Sequence, residues 1–148
     1  VADCLNHRIV TWTTGALSGT VVAGTGISGS TLSTLSSPTD VIVDNNDHMY
    51  ISDSGNSRIL RWTSGSTTGE CIVACTGMIG VAANQLGSPH SLAFDRNGSL
   101  YVSEWHNHRV QRFLIQPDNS KNANHEGDSN ASVFLSRKVR FSINQNSV

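Results

Sequence analysis

The sequence predicts an all-β protein, a partial β-propeller whose blades are four-stranded antiparallel sheets. The first observation behind this prediction is a repeat, because the pattern of residues 37–44 returns 51 positions later at residues 88–95. The second is that each period holds short apolar runs separated by turn residues, which is typical of a propeller blade. The third is composition: only 14% of the residues are charged, which favours short strands and many turns over long amphipathic helices.

The second copy of the repeat is complete, and we expect its four strands at residues 40–44, 48–53, 58–63 and 70–74. The turn Asn45-Asn46-Asp47 joins the first two of them. In the next copy Asn97-Gly98 takes this place, a dipeptide that accepts the positive φ angles of a tight hairpin. The third copy supplies three strands that end near Ile115.

A further copy of the pattern begins the chain. Residues 3–9 match residues 53–59 at an offset of 50, whereas residues 21–26 match residues 72–77 at an offset of 51. We therefore expect one extra loop residue in the second copy, between these two matching segments.

The repeat predicts blades at residues 1–30, 31–80 and 81–116, of which only the middle one has all its strands. A closed propeller has about four to eight blades. We expect a fragment of a longer propeller, with self-association that completes a ring and an open array as the alternatives. Residues 117–132 have the polar composition of a flexible linker. Residues 133–148 alternate apolar and polar side chains, which predicts either a strand that closes the last blade or a disordered tail.

One motif recurs at the end of each second strand. It reads acid-x-x-Asn-x-Arg and comprises, copy by copy, Asp3, Asn6 and Arg8, then Asp53, Asn56 and Arg58, then Glu104, Asn107 and Arg109. The motif resembles the NHL repeat family, which is named after an Asn-His-Leu triplet, and the first copy reads Asn6-His7-Arg8. A Ser-Pro lead-in and the strand Tyr-[Ile/Val]-Ser-[Asp/Glu] belong to the same pattern.

The resemblance implies a closed ring of about six blades, with binding surfaces at the two ends of a central channel. It does not fix a function, because one fold serves many. We interpret the nine motif residues as structural. The acid ends the second strand, Asn adopts the left-handed conformation or caps the turn, and Arg reaches a carboxylate or a carbonyl.

His90 follows Pro89 at the start of a predicted innermost strand. The family includes peptidyl-hydroxyglycine amidating lyase, which holds zinc through His residues at similar positions, so the resemblance makes His90 a candidate zinc ligand. A catalytic zinc site takes three protein ligands, however, and the preceding blade has Thr39 at this position. The alternative is a polar side chain that faces the channel. We expect no cofactor and no self-contained catalysis, with a fragment of a zinc lyase as the alternative.

The charge of the chain bears on nucleic-acid binding. The NHL propellers of tripartite-motif ubiquitin ligases bind RNA, and by this resemblance the phosphate contacts would be Arg8, Arg58, Arg61, Arg109 and Arg112. The net charge is −1, which leaves little of the counterion release that drives such binding. We therefore expect a scaffold for a protein or peptide ligand, with an RNA-binding fragment as an alternative.

Cys71 and Cys75 lie four residues apart in a predicted strand, where about 13 Å would separate them. We expect no disulfide between them, interpret both as small buried apolar residues, and expect Cys4 to be a free thiol. Asn97 and Asn130 begin N-glycosylation sequons, which favour an extracellular location without fixing it. No apolar run of about 18 residues indicates a membrane span.

Two sets of side chains recur in register between the copies. Trp12, Trp62 and Phe113 share one repeat position, and we expect them to pack between adjacent blades. His7, His106 and His108 fall in the turns between second and third strands, where we expect them to face solvent.

Overall fold

The computed structural model describes residues 1–115, which form three antiparallel sheets that follow one another along the chain. The first sheet contains β1 (Ala2–Asp3), β2 (Arg8–Thr11) and β3 (Thr20–Ala23). The second contains β4 (Asp40–Val43), β5 (His48–Asp53), β6 (Arg58–Thr63) and β7 (Glu70–Val73), and the third contains β8 (Pro89–Phe94), β9 (Ser99–Glu104) and β10 (Arg109–Leu114). Short 3-10 turns occupy Cys4–Asn6 and Ser54–Asn56.

Neighbours in the sequence are neighbours in each sheet, so every connection within a sheet is a simple antiparallel turn. The predicted all-β fold with four-stranded antiparallel blades is confirmed, and the second sheet is a complete blade. None of residues 1–115 belongs to a helix long and apolar enough to cross a membrane. The predicted linker at 117–132 and the predicted strand or tail at 133–148 lie outside the described residues.

Two aspartates hold the hairpins between the first and second strands of their sheets. Asp44 Oδ1 accepts the backbone N–H groups of Asn46 and His48, at 2.8 and 3.0 Å. β4 therefore ends at Val43, one residue before the predicted end, because the carboxylate of Asp44 caps the turn. In the third sheet, Asp95 Oδ1 accepts from the backbone of Asn97 and Ser99 in the same way.

The carboxylate of Asp44 makes the free energy of unfolding depend on pH. Burial raises the pKa of Asp44, but the hydrogen bonds from His48 and Asn46 and the nearby His48 ring outweigh it, so the pKa lies below its ordinary value of 3.8. A carboxyl group whose pKa is lower in the folded than in the unfolded protein stabilises the fold at pH values above its unfolded-state pKa. This stabilisation is lost as the pH falls through the folded-state pKa.

We therefore expect the free energy of unfolding to decrease as the pH falls below about 4. In Asp44→Asn this decrease should be shallower, and the variant should be less stable than the parent at neutral pH. Urea unfolding followed at several pH values between about 2 and 7 measures both effects. Parallel curves for the variant and the parent would contradict this account of Asp44.

The first and second sheets align at an offset of 50 residues as far as Gly24. β2 pairs Ile9 with Ala23, as β6 pairs Ile59 with Val73. Gly24 and Ala74 then both adopt a positive φ, of 76° and 55°. The extra residue of the second sheet therefore lies after Ala74, and the prediction that placed it in the loop before the last strand is wrong.

Cys75 is this extra residue, and it forms a disulfide with Cys71. The sequence prediction assumed an extended strand through residue 74, but the left-handed conformation of Ala74 turns the chain back and brings the two Cα atoms to 5.6 Å. That separation suits a disulfide, so the prediction of unbonded cysteines is wrong. Cys75 is exposed, so its interpretation as a buried apolar residue is wrong, whereas Cys71 is half-buried and packs against the hydrophobic core. Cys4 is a free cysteine, as expected.

Reduction should reveal this disulfide in two ways. A thiol assay on the denatured, unreduced chain should count one free thiol, and the reduced chain should show three. The closed loop is short, so its loss should reduce the free energy of unfolding by about 2 kcal/mol. Cys71→Val combined with Cys75→Ser provides the matched control, because Val21 takes the place of Cys71 in the first sheet. Reduction should not change the stability of that control.

Two hydrophobic clusters lie between successive sheets and make the sheets pack face to face. The cluster between the first and second sheets contains Ile9, Ala23, Leu35, Ile51, Leu60 and Trp62. The cluster between the second and third contains Tyr50, Ile59, Ile72, Val73, Ala74, Leu86, Leu92, Leu100, Val102 and Phe113. Leu35 and Leu86, which come from the connections between sheets, have no exposed surface. This stacking is the arrangement of neighbouring propeller blades.

The aromatic side chain at the shared repeat position is buried in the second and third sheets but exposed in the first. Trp62 and Phe113 are 1% and 2% exposed, so the predicted packing between blades is confirmed for both. Trp12 is 56% exposed, and the same prediction is wrong for this residue. Trp62 points towards the preceding sheet, and within residues 1–115 no sheet precedes the first one.

Candidate binding face at the loop end of the blades

The antiparallel order brings several irregular segments to one end of the sheets, which we call the loop end. In the second sheet, β4 and β6 begin at this end, and β5 and β7 finish there. The loop end therefore carries the connections 24–39 and 74–88 and the turns 4–7, 54–57 and 105–108. Loops positioned by a rigid scaffold are frequent sites of binding.

The repeated motif is centred on a buried carboxylate at the loop end. Asp53 is fully buried, and its Oδ2 atom accepts hydrogen bonds from Arg58 Nε and Asn56 Nδ2, both at 2.8 Å. Its Oδ1 atom accepts from the backbone N–H of Ser36 at 2.7 Å. One side chain thus joins the second strand, the turn after it and the preceding connection.

Arg58 and Asn56 extend this network to the backbone carbonyls of the same connection. The guanidinium Nη1 atom of Arg58 donates to Ser30 O at 2.6 Å, and Nη2 donates to Thr31 O at 2.8 Å. Asn56 Nδ2 donates to Gly29 O at 2.8 Å. The motif side chains therefore bind the connection that leads into their own blade.

The third sheet repeats the network with glutamate in place of aspartate. Glu104 Oε1 accepts from Arg109 Nε at 2.7 Å, and Oε2 accepts from Asn107 Nδ2 at 2.6 Å and from the backbone N–H of Gly87 at 2.8 Å. Asn107 also donates to Gly80 O at 2.7 Å. The motif therefore holds the connection 80–87 as it holds 29–36 in the second sheet.

In the first sheet the three motif side chains meet on a more exposed surface. Arg8 Nε donates to Asp3 Oδ2 and Asn6 Nδ2 donates to Asp3 Oδ1, both at 2.8 Å. These bonds lower the pKa of Asp3, Arg8 contributing most. The side chains of Arg8 and Asp3 are 38% and 27% exposed, against 8% and 0% for Arg58 and Asp53.

The left-handed residue of the motif turn is the one after Asn. His7, Ser57 and His108 have φ values of 51°, 50° and 48°, so the alternative in which Asn takes this conformation is wrong. The Asn side chains are instead hydrogen-bonded to the acid of the motif.

The three turn histidines differ in what they contact. His7 is half-buried, and its Nδ1 atom accepts the backbone N–H of Ser37 at 3.0 Å, which links the first sheet to the second. The prediction that His7 faces solvent is therefore wrong. His106 and His108 are exposed, as expected, and His106 Nδ1 lies 2.8 Å from Ser88 Oγ.

His90 lies in β8, the first strand of the third sheet, and is exposed. Its Nδ1 atom lies 3.2 Å from Ser91 Oγ, its hydrogen-bonding partner. Its ring centroid lies 6.4 Å from that of Trp105. Within residues 1–115, no three His, Cys, Asp or Glu side chains are grouped so that they could hold a metal ion. A single imidazole does not fit a catalytic zinc site, which takes three protein ligands.

Four of the five candidate phosphate-binding arginines are paired with carboxylates. Arg8, Arg58 and Arg109 belong to the motif networks, and Arg61 Nη2 donates to Glu70 Oε2 at 2.6 Å. Arg112 is exposed on β10. The three motif arginines therefore contact carboxylates, and Arg58 and Arg109 also contact backbone carbonyls of the connections.

Several large apolar side chains in the segments of the loop end are exposed to solvent. Leu5 and Trp105, in the turns of the first and third sheets, are 88% and 73% exposed. In the connections, Ile27, Met78 and Ile79 are also exposed. Large exposed apolar residues in clusters mark interaction surfaces, and sequence reasoning did not identify this one.

A signal for this surface is present in the repeat itself. The acid, Asn and Arg of the motif recur in all three copies, whereas the two residues after the acid change from Cys4-Leu5 to Ser54-Gly55 and Trp105-His106. The constant positions hold the turn. Of the variable residues, Leu5, Gly55, Trp105 and His106 are exposed, whereas Cys4 and Ser54 are half-buried.

Residues 86–113 match the family model described as the NHL repeat. No curated protein matches the chain. The matched segment covers β8, β9 and all but the last residue of β10, and it contains Glu104, Asn107 and Arg109. Residues 86–113 are therefore similar to an NHL repeat, in a chain whose antiparallel sheets fit a partial β-propeller.

Proposed function

We propose that the chain is a binding scaffold whose loop end receives a protein or peptide ligand. The observation that carries this proposal is the exposure of Leu5 and Trp105 on turns that the hydrogen bonds of the motif hold in place. An exposed Trp on a rigid backbone loses little conformational entropy on binding, and Trp is enriched among the residues that dominate binding energy.

The surroundings of Trp105 favour a ligand with an apolar anchor. The centroid of the His90 ring lies 6.4 Å from that of Trp105. His106, the next residue of the same turn, pairs with Ser88 at the end of the connection 74–88. These groups form a polar rim of the kind that surrounds an apolar anchor in protein interfaces. The nearby guanidinium of Arg109 already contacts Glu104 and loop carbonyls, which leaves less positive charge for phosphate groups.

A peptide selected from a random phage-displayed library against the full chain tests this proposal. We expect Trp105→Ala to weaken binding of the selected peptide by at least about tenfold, because truncation of an anchoring residue costs about 2 kcal/mol. Leu17→Ala is the matched control, since Leu17 is fully exposed in the turn between β2 and β3, away from the loop end. Equal losses in both variants, or no loss in Trp105→Ala, would contradict the proposal.

A further inference from the structure

The hairpin between β8 and β9 presents Asn97, the acceptor residue of a glycosylation sequon, to solvent, whereas Ser99 of the same sequon is buried. Asn97 and Gly98 are exposed, and the space around Gly98 is open, since a side-chain carbon there would meet no atom within 4 Å. Ser99, the third residue of the sequon Asn97-Gly98-Ser99, begins β9. The acceptor side chain is thus exposed at the tip of a turn, the kind of surface position that N-linked glycans occupy.

The hairpin does not depend on the side chain of Asn97. The turn is held by the carboxylate of Asp95, which accepts the backbone N–H groups of Asn97 and Ser99 at 2.9 and 2.8 Å. Asn97 contributes its backbone to this network, and its side chain donates no hydrogen bond within residues 1–115. A glycan on Asn97 Nδ2 would therefore leave the turn intact.

The disulfide between Cys71 and Cys75 is a second, independent indication of compartment. Disulfides form and persist in oxidising compartments and are rare where glutathione keeps thiols reduced. Cys75 is exposed, so the bond is accessible to cellular reductants. The secretory pathway supplies both an oxidising environment and the machinery of N-glycosylation.

We propose that Asn97 carries an N-linked glycan, attached in the secretory compartment where the Cys71–Cys75 disulfide forms. The donor is an oligosaccharide joined through diphosphate to a polyprenol, and the transferase is a separate enzyme. A bond forms between Asn97 Nδ2 and the first sugar carbon, the bond from that carbon to the diphosphate oxygen breaks, and Nδ2 loses one proton. The disulfide forms by exchange with a disulfide donor, which takes up the two electrons and two protons of the thiols.

The position of the glycan relative to the loop end follows from the topology. β8 begins at the loop end and finishes at the hairpin, so Asn97 lies at the opposite end of the third sheet from Trp105. The glycan would leave the loop end uncovered. The inference does not rest on the proposed function, because it uses only the hairpin and the disulfide.

Secretion of the full 148-residue chain from insect cells, behind a cleavable signal sequence, tests the inference. The intact mass should decrease after treatment with a peptide N-glycosidase, and peptide mapping should find aspartate at position 97 afterwards. The same map should contain the linked Cys71–Cys75 peptide. Asn97→Gln should lack this glycan and melt at the same temperature as the enzymatically deglycosylated parent.

Asn46→Gln is the matched control, because Asn46 occupies the same place in the hairpin of the second sheet and has no sequon. This change should leave the glycan mass unaltered. A secreted chain with unmodified Asn97, a glycan at Asn130 alone, or free thiols at both Cys71 and Cys75 would overturn the inference. Retention of the chain in the cells as misfolded aggregate would overturn it as well.

Discussion

Trp62→Ala should reduce the free energy of unfolding by about 3 to 5 kcal/mol, the cost of removing a large aromatic side chain from a core. Trp62 is 1% exposed and packs in the cluster between the first and second sheets. Its Nε1 atom also donates to Ser66 O at 2.8 Å, so the substitution removes a hydrogen bond from the turn after β6. Urea unfolding followed by circular dichroism measures the loss.

Trp12→Ala is the matched control for this experiment. Trp12 occupies the same repeat position in the first sheet but is 56% exposed, so its removal leaves no enclosed cavity. We expect a loss of less than about 1 kcal/mol. Equal losses for the two variants would show that the blades do not stack as described.

Arg58→Met should reduce the free energy of unfolding by about 3 to 5 kcal/mol, because it leaves a buried carboxylate without its charged partner. Asp53 is fully buried and Arg58 is 7% exposed. The substitution also removes the donors to the carbonyls of Ser30 and Thr31, which frees the connection before the blade. The loss should appear in denaturant unfolding and as faster proteolysis within residues 29–36.

Arg8→Met is the control, since Arg8 makes the same contact to an aspartate on a more exposed surface. Its effect should be much smaller, because exposed ion pairs contribute little to stability. Arg58→Lys should rescue little of the loss, since a single ammonium group cannot reach the carboxylate and two separate carbonyls together. A full rescue by Lys would mean that charge alone, without the forked geometry, holds the connection.

Local patterns were sufficient to predict the strands of the second and third sheets. Alternating apolar residues and turn dipeptides determine structure within a few positions of the chain. The predicted strands differ from the structure at the ends of β4 and β7, where Asp44 and Ala74 lie one residue outside the observed strands. Both differences have a local cause that the apolar pattern does not reveal. The carboxylate of Asp44 caps the turn after β4, and the left-handed conformation of Ala74 turns the chain after β7.

Contacts between sheets could not be read from the repeat in the same way. Side chains at equivalent repeat positions point to the same face of their sheets, but whether they are buried depends on whether a neighbouring sheet covers that face. Ile59 is fully buried against the third sheet, whereas its counterpart Val110 is 64% exposed. The disulfide was missed because the apolar pattern does not reveal the left-handed conformation of Ala74, which turns the chain back towards Cys71.

The candidate site likewise has one part that the sequence predicts and one part that it does not. The motif residues were predictable as a set, since the same three side chains recur at fixed spacing and a buried carboxylate requires partners. The apolar surface of the loop end was not, because Leu5 and Trp105 stand at positions where the copies differ. Only the fold shows that these positions share one end of the sheets.

Hydrogen exchange of the full chain, with and without the selected peptide, tests most directly whether the loop end is the binding face. We expect the peptide to slow exchange in the turns 4–7 and 105–108 and in the connection 74–79. The hairpins 44–48 and 95–99, at the opposite end, should exchange at unchanged rates. Protection confined to those hairpins, with none at the loop end, would contradict the account.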